Sequence, residues 1–265
     1  VKRSTPRTAS TIALAALAIL TSFAVVRAVA EQSGRAGVVV SLDGSISPRY
    51  IPRHRPVPVS LTLAGSISAT EGSPPPRLQS IEIAFGARGG LHTSGLPQCP
   101  RSRLRNATAR QALARCRAAL VGRGQISTEV PLNPEEPLLA RAGVLAFNGR
   151  SGGHLTVWVH AYSASPPVSF VLPFQLRRLR AGPYGVLLRA PVQSVLGRWP
   201  RLRSFRITFG RHFRSAGKSR SYLAARCPLP PRFSIGIFPL ARATYHFAPR
   251  PTLATTILRG CRVRR

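Results

Sequence analysis

Apolar and polar residues alternate with period two along short runs of this chain, and proline or glycine interrupts nearly every run. Ile81, Ile83 and Phe85 oppose Glu82, and Phe205, Ile207 and Phe209 oppose Arg206 and Thr208. Successive side chains of a strand point to opposite faces, so the pattern describes strands with one buried face. Comparable runs are 38–41, 57–63, 126–130, 144–147, 155–162, 168–176, 186–192, 221–225, 235–238, 243–247 and 253–258. Short strands at this spacing with Pro/Gly punctuation read as a sandwich or a barrel. The reading adopted is all-β: a two-sheet sandwich, jelly-roll or immunoglobulin-like, over residues 37–265, with residues 31–36 a flexible leader. Two small β domains divided near 133–140, at Asn133-Pro-Glu-Glu-Pro137, are the alternative.

One segment breaks the pattern. Between Cys99 and Cys116, Ala109 and Leu113 fall on one face with Cys116 and Leu120 at helical spacing. This predicts one short α-helix near 108–120. Thr108-Ala-Arg-Gln111 has the form of a capping box, with Gln at the position that reaches back to the cap. The start matters for the cysteines. A helix from Ser102 would carry Cys116 about 21 Å along its axis, beyond the roughly 7 Å between Cα atoms that a disulfide allows. From Thr108 the distance falls to about 12 Å, and residues 100–107 can loop back. Cys99–Cys116 is therefore the favoured pair, leaving Cys227 with Cys261. Four cysteines allow three connectivities, and sequence alone does not choose among them.

The N-terminus points to export. Lys2, Arg3 and Arg7 precede nineteen uncharged residues from Thr8 to Val26, with an apolar centre at Ile12–Leu20. Ala28-Val29-Ala30 is a small-x-small cleavage site, so residues 1–30 read as a signal peptide. The alternative is an uncleaved membrane anchor, since the apolar length suffices to span. The expected location is secreted or on the extracellular face of the cell envelope, where disulfides persist.

Charge is the second dominant feature. The chain has 39 Lys+Arg against 7 Asp+Glu. Without the basic residues at 2, 3, 7 and 27, the net charge is +28. Only Lys2 and Lys218 are lysines, and residues 137–265 hold 22 Lys+Arg with no acid. Guanidinium groups there must face water, stack on aromatics, bond to carbonyl oxygens or meet an external anion. The arginine-over-lysine bias also matches the codon usage of a GC-rich genome.

Several chemistries have little to work with. Zinc sites use close cysteine pairs, whereas the nearest cysteines here are 17 apart. The six histidines show neither H-x-H nor H-E-x-x-H spacing, and no G-x-S-x-G elbow is present. Paired-carboxylate hydrolysis would have to draw on Glu31, Asp43, Glu71, Glu82, Glu129, Glu135 and Glu136. These read as solvated acids. Gly217-Lys218-Ser219 lacks the upstream glycine of a phosphate loop and reads as a β-turn. No catalytic residue, metal or cofactor is expected, and no specific nucleic-acid partner.

Two surfaces remain as binding candidates. The first is Arg198, Arg201, Arg203, Arg206, Arg211, Arg214, Lys218 and Arg220, interleaved with Trp199, Phe205, Phe209, Phe213 and Tyr222, a pattern that can grip polyanions. The bland alternative is a wet strand face over core phenylalanines. The second is Trp158, His160 and Tyr162 on one face of a strand, either a sugar-stacking row or part of a strand buried on both sides.

Leu96-Pro-Gln-Cys-Pro100, Phe147-Asn-Gly-Arg150 and Ser221-Tyr-Leu-Ala-Ala-Arg-Cys-Pro228 resemble motifs of uncharacterised exported proteins of high-GC actinobacteria. The resemblance would cover most of residues 80–265. It implies an exported β-rich domain and carries no activity. The functional expectation is a non-catalytic binding module for an anionic envelope polymer or a lipid headgroup at a membrane surface. A structural or glycan-binding envelope module whose charge is compositional drift is the alternative.

Overall fold

The computed structural model describes residues 30–70, 74–131, 137–194, 197–249 and 251–263. All but the last residue of the expected signal peptide, with its retained-anchor alternative, lies outside them, as do Glu71, Glu135 and Glu136. No helix among the described residues is long and apolar enough to cross a membrane.

Period-two alternation becomes strand wherever the sequence carries it. The first strands are β1 (Glu31–Arg35), β2 (Val38–Ser47), β3 (Val57–Pro58), β4 (Ser60–Ala69), β5 (Arg77–Gly86) and β6 (Gly89–Leu91). After the helical segment come β7 (Leu120–Val130), β8 (Leu138–Ser151), β9 (His154–Ala164), β10 (Pro167–Arg178) and β11 (Tyr184–Pro191). The remainder are β12 (Arg201–Phe209), β13 (His212–Ser215), β14 (Lys218–Ser221), β15 (Leu223–Ala225), β16 (Ile235–Ala248) and β17 (Thr252–Arg262).

Twelve of these make one sheet in the order β1-β2-β4-β12-β7-β8-β9-β10-β11-β5-β16-β17. Every neighbouring pair is antiparallel. The two ends of the list then meet in space. Thr255 Oγ1 donates to the Glu31 carbonyl (3.1 Å), and the Leu258 amide donates to the Glu31 carboxylate (3.2 Å). Arg259 binds the Asp43 carboxylate across the same seam. The sheet is thus rolled nearly closed, where two separate facing sheets were expected. Alternation demands one apolar face per strand, and a rolled sheet meets that demand as well as a sandwich does. Strands from both sides of residues 133–140 are interleaved in it, β7 pairing directly with β8.

Residues 31–36 correct a second expectation. The segment read as a flexible leader forms β1, paired from Glu31↔Leu42 to Arg35↔Val38. Its polar, Gly-containing sequence shows no apolar alternation because this strand buries almost nothing; its backbone groups hold it in place.

Inward side chains build a single core. Val38, Val40 and Leu42 of β2 meet Leu61 and Leu63 of β4, Ile83 of β5, Val144 of β8, Val157 of β9 and Ile257 of β17. The outward face of the same strands is polar: Ser41, Asp43 and Ser45 alternate with Leu42 and Gly44. Two kinds of end result. At one, which we call the turn end, β1–β2, β9–β10 and β16–β17 are joined by short connections, and the β4–β5 and β11–β12 connections join strands that are not neighbours. The opposite, capped end carries the sheet β3-β15-β6 and the hairpin β13-β14.

The helix α1 (Ala109–Cys116) is shorter than the expected 108–120; residues 117–119 tighten into a 3₁₀ turn. Its capping box is complete. The Gln111 amide donates to Thr108 Oγ1 (3.2 Å), and the Thr108 amide donates to Gln111 Oε1 (2.9 Å). Cys99 pairs with Cys116 and Cys227 with Cys261, at Cα–Cα distances of 5.6 and 6.0 Å.

Candidate functional site

Arginines of the basic segment do not converge. Arg201, Arg203 and Arg206 lie along β12, spread over about 17 Å at 3.3 Å per residue. Arg203 is committed to Glu129 at 3.6 Å. Arg211 ties the end of the helical segment to the barrel, donating to the carbonyls of Arg117 (3.0 Å) and Leu120 (3.4 Å). Arg214, Lys218 and Arg220 sit on the separate β13-β14 hairpin. That hairpin turns at Ala216 and Gly217, both with positive φ, so of Gly217-Lys218-Ser219 the glycine closes a turn and the other two begin β14. Arg198 is exposed in the β11–β12 connection.

Most of the interleaved aromatics are not free to stack either, and only the half-buried Phe205 borders an outer surface. Phe209, Phe213 and Tyr222 are buried. Trp199 is taken by Arg77, whose guanidinium carbon lies 3.1 Å from the ring centroid. The sequence pattern could not show this, because strand alternation places core aromatics and outward arginines side by side in the chain and on opposite faces in space.

The Trp158, His160 and Tyr162 row follows the second of its two readings, a strand buried on both sides, and is not an open stacking surface. It faces outward from the barrel, but the segment 99–119 folds over it. Trp158 is 3% exposed, His160 0%, and Tyr162 half-buried. Leu104, Ala107, Ala112 and the Cys99–Cys116 pair close over Phe147 and Trp158 in a second small core. Gly149 makes this packing possible, because a Cβ there would lie 2.3 Å from Trp158 Nε1. His160 Nε2–H donates to the Ala107 carbonyl (2.8 Å). Burial lowers its pKa below the usual histidine value, and the Ala107 bond offsets this only in part. Val157 and Ala161 fill the inward face, so β9 is buried on both sides.

The described carboxylates are likewise occupied. Glu31 and Asp43 hold the barrel seam, Glu82 meets Arg189 at 3.3 Å, and Glu129 meets Arg203. Among the described residues, no three His, Cys, Asp or Glu side chains cluster as a metal site would require.

What the sequence reading missed is the space inside. Eight strands close around an interior that side chains just fill, and larger barrels leave room. Here the lumen contains two chambers. The larger, about 140 Å³, lies toward the turn end among Ile83, Val144, Val157, Phe170 and Ile207, with Val192, Gln193 and Ser194 of the β11–β12 connection over it. The smaller, about 70 Å³, lies toward the capped end beneath Leu91, Leu223 and Ala224. Phe85, Leu188 and Phe209 line both and form the partition. Polar groups at the larger chamber are Gln125, Thr128, Gln193 and Ser194; no described carboxylate, histidine or cysteine lines either chamber.

A third space lies outside the barrel. An open groove of about 810 Å³ crosses β2, β4, β12, β7 and β8. Its floor is Ser41, Ser66, Ser127 and Ser204 with Ala64 and Gly143, and Arg206, Arg141 and the Arg259-bound Asp43 also line it. Of the basic segment, only Arg206 reaches it.

No protein-family model matches the chain, and neither a curated protein nor a solved structure matches it.

Proposed function

We propose that this is an exported, non-catalytic binding protein that holds a small apolar molecule, or the apolar end of an amphiphile, in its barrel lumen. The observation that supports it is the two-chambered apolar lumen. A cavity of roughly 150 Å³ lined by aliphatic side chains stays dry and takes benzene or xenon, and the larger chamber has that size and lining. A benzene ring or the end of a short alkyl chain is the matching ligand. The signal-like N-terminus and two disulfides fit a protein that works outside the cell.

The test is thermal unfolding with benzene, hexanoate and octanoate. Saturation at a hundred times Kd stabilises by about 2.7 kcal/mol, a rise of about 5–10 °C in Tm for a chain of this size. Val157→Phe, which fills the larger chamber, abolishes the rise. If no ligand shifts Tm, or if Val157→Phe leaves the shift intact, the lumen is not the site.

A second reading has its own observation. The outer groove, with Arg141 and Arg206 exposed in it, suits an anionic envelope polymer better than the dispersed basic segment does. Counterion release makes such binding fall steeply with salt. Loss of polymer binding in Arg141→Gln/Arg206→Gln, with retention in Arg214→Gln/Arg220→Gln, supports the groove. A salt-insensitive neutral glycan bound there replaces the polymer reading.

A further inference from the structure

Six large apolar side chains are exposed among the described residues: Tyr50, Leu139, Phe233, Ile235, Ile237 and Leu258. Five of them gather at one place. Ile235 and Ile237 alternate on one face of β16, and Pro239 continues that face. Across the ladder, Leu258 stands opposite Pro239, Gly260 opposite Ile237, and Arg262 opposite Ile235. Tyr50 bridges to Arg262, and Phe233 lies two residues ahead of Ile235. Ile237 is 72% exposed, the most of any large apolar residue described. This part of β16 runs past its neighbour β5, whose pairing with β16 begins at Ala241.

The platform is held firmly. Cys227–Cys261 anchors β17 directly behind it. Arg53 clamps the preceding turn, donating from Nη1 to the carbonyls of Leu229 and Pro230 and from Nη2 to those of Pro231 and Phe233. Its rim is basic: Arg49, Arg232 and Arg262 are exposed beside Tyr50, Phe233 and Ile235. No acid occurs anywhere in residues 137–265; of the two acids nearby, Asp43 is bound by Arg259, and Glu31 accepts from the Leu258 amide.

We infer that the Phe233–Ile235–Ile237–Leu258 platform docks the protein onto an anionic lipid bilayer. Contiguous exposed apolar side chains mark an interaction surface. A second copy would set the same arginines against one another, because a two-fold interface joins a patch to itself. An anionic bilayer instead offers both complements, acyl carbons for the isoleucines and phosphate groups for the arginines. The inference stands on this surface and does not depend on the lumen.

The test uses vesicles of phosphatidylglycerol in phosphatidylcholine, against phosphatidylcholine alone. Residues 12–20 of the full chain can themselves insert into a bilayer, so a reporter at the platform isolates its contribution. In Ile237→Trp, the new fluorophore should shift to the blue on anionic vesicles and be quenched by brominated acyl chains. Ile235→Ser/Ile237→Ser should lower partitioning at least tenfold, and Leu139→Ser should leave it unchanged. Arg232→Gln/Arg262→Gln should lower it about twenty-five-fold, five-fold for each charge near the surface. The inference is overturned if the tryptophan at 237 neither shifts nor is quenched, or if neutral vesicles bind equally. It is also overturned if sedimentation equilibrium shows a dimer that Ile235→Ser/Ile237→Ser dissolves.

Discussion

Leu188→Ala tests the lumen most directly, because Leu188 belongs to the partition between the two chambers. The side chain is buried and lines both spaces. Removing it deletes three carbons from the core, and large-to-small changes cost the lost transfer energy plus a term for the cavity left behind. Neighbours that already border empty space have little to collapse onto. The cost should therefore fall in the upper part of the usual Leu→Ala range, about 3–5 kcal/mol, or roughly 6–20 °C in Tm. The same change joins the chambers of about 140 and 70 Å³ into one. A longer apolar ligand such as octanoate or naphthalene should then bind more tightly to the variant than to the native chain, restoring part of the lost Tm, while benzene gains little. Urea unfolding measures the cost, and ligand-dependent Tm measures the selectivity. A loss below about 0.5 kcal/mol, within the range of ordinary surface changes, would show that Leu188 does not wall the chambers. A full loss with unchanged ligand preference would show that the lumen does not select ligand.

Three further outcomes follow from particular contacts. His160 is held neutral by burial, so the unfolded chain takes up its proton first. Stability should be complete above about pH 6.5 and fall below it, by at most about 1.4 kcal/mol per pH unit; His160→Gln should remove that slope in urea titrations at pH 5 and 7. Cys99→Ala/Cys116→Ala opens a 17-residue loop and should cost about 3 kcal/mol, with the fluorescence of Trp158 moving to the red as its cover loosens. Gly149→Ala drives a methyl into the Trp158 ring and should cost about 1–3 kcal/mol, read by the same fluorescence; an unshifted spectrum would refute the packing.

The sequence carried local structure well. Apolar runs bounded by Pro and Gly located the strands of the large sheet other than β1, although 235–238 and 243–247 are one strand, β16. The Thr108–Gln111 box placed the start of α1, and that start made Cys99–Cys116 geometrically available. Closure was a different matter. Glu31 and Leu258 are 227 residues apart, and nothing in the alternation of β1 or β17 names the other as a neighbour. The rolled sheet, and the lumen that exists only because it rolls, are products of strand order. The Trp158 row shows a similar limit: its apolar residues on both faces allowed for double burial, but not for what does the covering. Its own strand could not show that residues 99–119 return to cover it.

A net charge of +32 looks like one signal in the sequence, and the fold divides it in two. A second half without acids can form salt bridges only to the few acids of the first half, and elsewhere arginine braces the fold by binding carbonyl oxygens. Arg53 holds four carbonyls of one turn; Arg211 holds two at the end of the helical segment; Arg103 and Arg115 donate to each other's carbonyls. Arg259 joins the Gly44 and Leu258 carbonyls to Asp43 at the barrel seam. A planar group with five donors suits this work, whereas lysine offers a single compact charge. These arginines should be insensitive to salt and costly to remove. Arg141 and Arg206 in the outer groove, and Arg49, Arg232 and Arg262 around the apolar platform, are exposed charges beside surfaces large enough to meet a partner. Replacing Arg53 should therefore lower Tm and leave vesicle binding of the folded fraction intact, and replacing Arg232 and Arg262 should do the reverse. If both sets changed stability and binding alike, the positive charge would be a uniform background, and the division between brace and contact would fall with it.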